Sequence, residues 1–190
     1  GDVAGDVLAA SPWLDATQEY DPQHEFFAIL KHLDALAGEL GFPIMLDPWW
    51  VPRSMQVPCA SGRGSPVDAK AYAERFVLPL VRHAVGPLGC TRIRYLGLLN
   101  EPVWNDNDRN PANFAVAEGR DQLREMTAMY AEVRRALDGA GLRDIGIVGP
   151  SALCSYQFPM ADFLASGADP TPFLGALDHH AYMYHLDSLN

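Results

Sequence analysis

Strand-like and helix-like patterns alternate along the 190 residues, and this alternation predicts an α/β chain of consecutive β/α units with a parallel sheet. Three observations carry the prediction. Apolar runs suited to strands begin near 43, 92, 144 and 174. Segments with apolar residues at helical spacing lie between them. No repeat, low-complexity tract or linker divides the chain, so 1–190 reads as a single domain. Eight such units close a barrel of about 250 residues. Four of them in this length predict a partial (β/α)8 TIM barrel, and a chain that opens on Gly1 and stops at Asn190 after a strand-like run reads as truncated at both ends.

Each element has its own warrant. Residues 1–20 are rich in Gly and Asp with no clear period, and read as a loop. Asp21-Pro22 offers an N-cap followed by proline at the first helical position. Phe26, Phe27, Leu30, Leu33, Leu36, Ala37 and Leu40 then follow at helical spacing, and Gly41 ends the helix. Pro43 to Asp47 is a short apolar strand, succeeded by a proline-rich loop that carries Trp49, Trp50 and Arg53. Ser65-Pro66-Val67-Asp68 is a helix start, continued by Tyr72, Phe76, Leu80 and Val81 on one face. A strand over 92–99 follows. The stripe Leu123, Met126, Tyr130, Val133 and Leu137 marks a helix over 118–139. Asp144 to Gly149 is the next strand, expected to close at Pro150, and a short helix near 160–166 leads to a last strand at 174–180.

Composition excludes several classes of partner. The net charge is −10 without any basic block, which argues against nucleic acid and anionic membranes, since both call for clustered Lys and Arg. No run reaches the eighteen or so apolar residues that a membrane helix needs. Cys59, Cys90 and Cys154 are widely spaced and form no C-x-x-C pair, so they read as buried or free thiols rather than ligands or a disulfide framework. His179 and His180 are adjacent on a strand and point to opposite faces, so with His185 they make a poor metal cluster. No metal and no cofactor is expected.

The chemistry concentrates at one strand end. Asn100-Glu101-Pro102 closes the apolar run Ile93 to Leu99, which puts an acid at the end of a strand, where (β/α) enzymes work. Cleaving a glycosidic bond takes an acid to protonate the leaving oxygen and, in retaining enzymes, a second carboxylate about 5–5.5 Å away to attack the anomeric carbon. Glu101 is the candidate acid, later the base that activates water. Such a group needs its pKa raised by burial and a neighbouring carboxylate. Trp49, Trp50 and Trp104 offer flat faces on which sugar rings stack.

Strand, Asn-Glu-Pro and the loop with Trp104 resemble the fourth-strand signature of the retaining glycoside hydrolases of clan A. With that strand ranked fourth, those at 43–47, 144–149 and 174–180 rank third, fifth and sixth. In that clan the sixth strand ends in His-x-Tyr, often with an acid two positions upstream, and Asp178-His179-His180-Ala181-Tyr182 is similar. The likeness covers about 22–184. It implies O-glycosyl hydrolysis of β-linked sugars by double displacement, with Asn100 on the sugar 2-hydroxyl. His180 and Tyr182 would line the pocket, and the aromatic loop would floor sugar subsites. It also implies a nucleophilic Glu on strand seven. This chain carries none: Glu132 is its last glutamate and lies within a helix. The expectation is therefore a catalytic-domain fragment, inactive alone, with a saccharide or glycoside as partner. The rival is a carbohydrate-binding barrel that has lost a catalytic carboxylate.

Overall fold

The structure, a computed structural model, describes residues 12–48, 51–59, 62–100, 102, 114–152 and 171–179. Its centre is a four-stranded sheet of β3 (Ile44–Leu46), β4 (Ile93–Gly97), β5 (Gly146–Ala152) and β6 (Ala176–His179) in that order. Every neighbouring pair is parallel. Helices connect the first three strands: α2 spans Ala69–Ala71, Tyr72–Val77 and Leu78–Val85, and α3 spans Gln122–Gly139. Helix α1 (Glu25–Leu40) precedes β3. This is the predicted arc of β/α units, and no closed barrel is present among the described residues. A short hairpin, β1 (Trp13–Leu14) with β2 (Glu19–Tyr20), stands where a loop was expected. Two-residue strands are too short to leave a period in the sequence.

Register and burial assign the two faces of the sheet. Leu46 pairs with Leu96, and Leu96 with Ile147, and these three side chains are almost wholly buried. They meet Tyr72, Phe76, Val77 and Val81 of α2 and Met126, Tyr130, Val133 and Leu137 of α3 in one core. Each apolar side chain so buried contributes roughly 1.5–3 kcal/mol. Met45 pairs with Tyr95 on the opposite face, and both remain exposed. The hairpin joins the core through rings: Trp13 meets Phe76 edge-on at 5.0 Å, and Tyr20 stacks on Phe76 at 5.6 Å.

Helix starts differ from the expected ones for identifiable reasons. Asp21 accepts from the Gln23 N–H at 2.9 Å and closes a turn, so His24 caps α1 through Nδ1, which accepts from Phe26 N–H. Ser65 is buried and its N–H donates to the Ala115 carbonyl, which leaves Asp68 to cap α2. Gly119 adopts φ 76° and breaks the backbone upstream of α3, whose cap is Asp121. Within α2 the Leu78 N–H reaches back to the Ala73 carbonyl, a π-helical turn. Pro79 lies next and has no N–H to donate, so the wider turn sits where the helix loses a bond.

On α1, Phe27, Leu30 and Ala37 are buried while Ile29, Leu33, Leu36 and Leu40 stay about half exposed. The predicted stripe therefore divides into a packed face and an open apolar one. Among the described residues no helix is long and apolar enough to cross a membrane.

Candidate functional site

Because β3 to β6 are parallel, their carboxyl ends lie together along one rim of the sheet. The expected site residues follow those ends in the chain. Asn100 stands three residues past Gly97, half-buried, behind the fully buried Leu98 and Leu99, and Pro102 is buried as well. Glu101, Trp49, Trp50, Trp104, His180 and Tyr182 lie outside the described residues. The helix expected at 160–166 and the cysteine at 154 lie outside them too.

The loops that leave β3 and β4 are zipped together at this rim. The Ser65 N–H donates to the Ala115 carbonyl at 2.6 Å, and the Ala115 N–H returns to the Arg63 carbonyl at 3.0 Å. Within the loop after β3, Gly64 sits where a Cβ would come within 2.4 Å of the Val57 carbonyl oxygen, so only glycine lets the two arms of that loop close on each other. The hairpin is tied to the same loop: Asp15 Oδ1 accepts from the Ser54 hydroxyl at 2.6 Å and from Trp13 Nε1 at 2.9 Å. The bonds that tie the hairpin and the two loops together leave no local pattern in the sequence, because Ser54 lies 39 residues from Asp15 and Ala115 some fifty from Arg63 and Ser65.

Among the described residues, two carboxylates mark the rim. Asp47 follows β3, and its carboxylate lies over Gly97, where a Cβ would be 2.8 Å from Oδ2. It therefore shares the face that carries Met45 and Tyr95. An acid closing a short apolar strand was a legible signal, the same one that marks Glu101. Asp178 of β6 accepts from the Ser151 N–H at 2.8 Å and from the Ser151 hydroxyl at 2.9 Å. Ser151 is buried and has φ 55°, a left-handed conformation rare outside glycine. β5 accordingly continues through Pro150 to Ala152, past its expected end, with an irregular register between Pro150 and Ala152. Irregularities of this kind gather beside functional sites.

Two tyrosines back this rim from the helix side. The Tyr130 hydroxyl lies against Gly149, where a Cβ would come within 2.4 Å of it. The hydroxyls of Tyr72 and Tyr130 are buried with no hydrogen-bond partner among the described residues. Burial holds both phenols far above the usual tyrosine range. The Asp47 carboxylate adds to the shift at Tyr72, and Asp178 leads the charges acting on Tyr130. Both phenols are neutral at ordinary pH. Among the described residues no group of His, Cys, Asp and Glu could hold a metal ion.

Among solved structures, the chain is similar to the catalytic domain of GH30 xylanase C from Talaromyces cellulolyticus, with TM-score 0.52 and 22% identity over 74% of this chain. The match spans 33% of that domain, so the chain accounts for about a third of its neighbour's length. No known protein family and no curated protein matches the sequence. At this identity the likeness concerns the fold: a parallel α/β arc like part of a glycoside hydrolase catalytic domain.

Proposed function

We propose that this chain is the strand-three to strand-six part of a single catalytic domain of a retaining glycoside hydrolase acting on β-linked sugars. The observation that carries the reading is Asn100, directly ahead of Glu101, at the rim of a parallel arc similar to a glycoside hydrolase domain. Glu101 is the proposed acid/base. It protonates the glycosidic oxygen in the first displacement and takes a proton from water in the second. Asn100 holds the sugar 2-hydroxyl, a contact that strengthens in the transition state. His180 and Tyr182 line the pocket, and Trp49, Trp50 and Trp104 stack on sugar rings. The nucleophile is supplied by a glutamate outside these 190 residues. Because the structural neighbour is a xylanase, β-linked xylo-oligosaccharides are the first substrates to try.

The test is Glu101→Gln in the protein at its full natural length. Turnover of xylo-oligosaccharides is expected to fall by about 10²–10⁴, the usual worth of general acid catalysis. Aryl glycosides with good leaving groups, which need no protonation, should lose far less in the first displacement. Equal activity of variant and wild type on the oligosaccharide would sink the assignment. Saccharide binding without any hydrolysis by the wild type would favour the carbohydrate-binding barrel instead.

A further inference from the structure

Asp178 spends both of its carboxylate oxygens on one residue of the neighbouring strand. Oδ1 takes the Ser151 N–H and Oδ2 takes the Ser151 hydroxyl, at 2.8 and 2.9 Å. Ser151 is only 4% exposed. Hydrogen bonds to a carboxylate are shorter and stronger than neutral ones. The Ser151 φ of 55° is one that a serine adopts only when its surroundings hold it there. The ladder between β5 and β6 loses its regular step at this point, since Pro150 pairs with Asp178 but Ala152 pairs with His179. Strain, bulge and a two-pronged carboxylate clamp thus coincide at the carboxyl ends of two adjacent parallel strands. A clamp that only joined the strands would not need a left-handed serine, because ordinary ladder bonds would do.

We propose that Asp178 is a positioning residue: by taking the Ser151 amide and hydroxyl together, it fixes the carboxyl end of β5 against that of β6. His180 follows two residues after Asp178 in the sequence, so the clamp sets the starting point of the segment that carries it. The consequence for catalysis rests on the hydrolase reading above; the clamp itself does not.

The experiment compares wild type with Ser151→Gly, Asp178→Asn and Asp178→Ala in the full-length protein. Amide hydrogen exchange at Ser151, melting temperature, and kcat and KM on 4-nitrophenyl β-D-xylopyranoside are measured for each. Asp178→Ala should speed exchange of the Ser151 amide about tenfold or more, because its acceptor is gone. Asp178→Asn keeps an oxygen for the amide and a group for the hydroxyl, and should restore most of that protection. Ser151→Gly removes the hydroxyl bond but also the left-handed strain. Its melting temperature should therefore hold while kcat falls, by up to about a hundredfold if reacting groups shift by an ångström, with little change in KM. Unchanged Ser151 exchange in Asp178→Ala would overturn the clamp. Activity that merely follows melting temperature across all three variants would overturn its positioning role. A wild type that cleaves no glycoside, while Ser151 exchange still responds to Asp178, would fail the hydrolase reading and leave the clamp standing.

Discussion

The helix-facing side of the sheet and its carboxyl-end rim are built on opposite principles. Behind the sheet, Leu96, Ile147, Met126, Val133 and Leu137 are fully buried, apolar and close-packed. At the rim, Asp47 lies over Gly97, Asp178 grips a left-handed Ser151, and Gly64 admits a neighbouring backbone. The first region is held by area removed from water, which many residues supply interchangeably. The second is held by a few bonds and close approaches that admit one residue each. Tyr72 and Tyr130 stand between the two, with apolar bodies in the core and buried hydroxyls, that of Tyr130 lying against Gly149.

That contrast can be tested from its largest consequence downward. Alkali should unfold the protein through the buried phenols of Tyr20, Tyr72 and Tyr130. Their folded pKa values lie above the unfolded value of 10.0, so the folded state keeps protons that the unfolded state has released. Stability is therefore flat below pH 10 and falls above it, by about 1.4 kcal/mol per pH unit for each phenol. Denaturant titrations from pH 8 to 11 should give this slope, and Tyr72→Phe with Tyr130→Phe should cut it to about a third, the share left to Tyr20. A slope that ignores both substitutions would contradict the assignment.

Core truncation comes next. Ile147→Ala or Leu96→Ala should cost about 2–5 kcal/mol, as for other buried aliphatic residues, seen as a lower urea midpoint with unchanged slope. The boundary itself is probed by Gly149→Ala, whose Cβ meets the Tyr130 hydroxyl; overpacking of this kind costs about 1–3 kcal/mol. Most of that loss should vanish in a Tyr130→Phe background. Additive effects in that double-mutant cycle would mean that the hydroxyl is not what fills the space. The smallest effect belongs to the open face of α1. Leu33→Gln with Leu36→Gln should change stability by less than about 0.5 kcal/mol each, as at other surface positions. A large loss on thermal melting would show that this face is covered in solution.

Much of the fold was legible because periodicity survives averaging. Four strand-like runs and the stripe of α3 each spread one signal over many residues, so β3 to β6 and the three helices fell close to their expected places. Helix starts were less legible, since Asp21, Ser65 and Asp68 all have capping chemistry and neighbouring bonds decide which one caps. Asn100, at the rim, stood out because a polar residue ends an apolar strand; Glu101 beside it lies outside the described residues, and Asp47 carried the same signal without being given a role. Ser151 carried none, for a serine after Gly-Pro looks like any other turn residue.

The sequence by itself determined the alternation of elements, the parallel order of the strands and the end of the sheet where acids collect. These follow from residue type and spacing, which act locally along the chain. Only the tertiary structure decided that Asp178 holds Ser151, that Asp47 rests on Gly97 and that Gly64 meets Val57. Each depends on groups distant in the chain reaching hydrogen-bond or contact distance, and distances of that kind are fixed by packing and strand register, not by the identity of either partner.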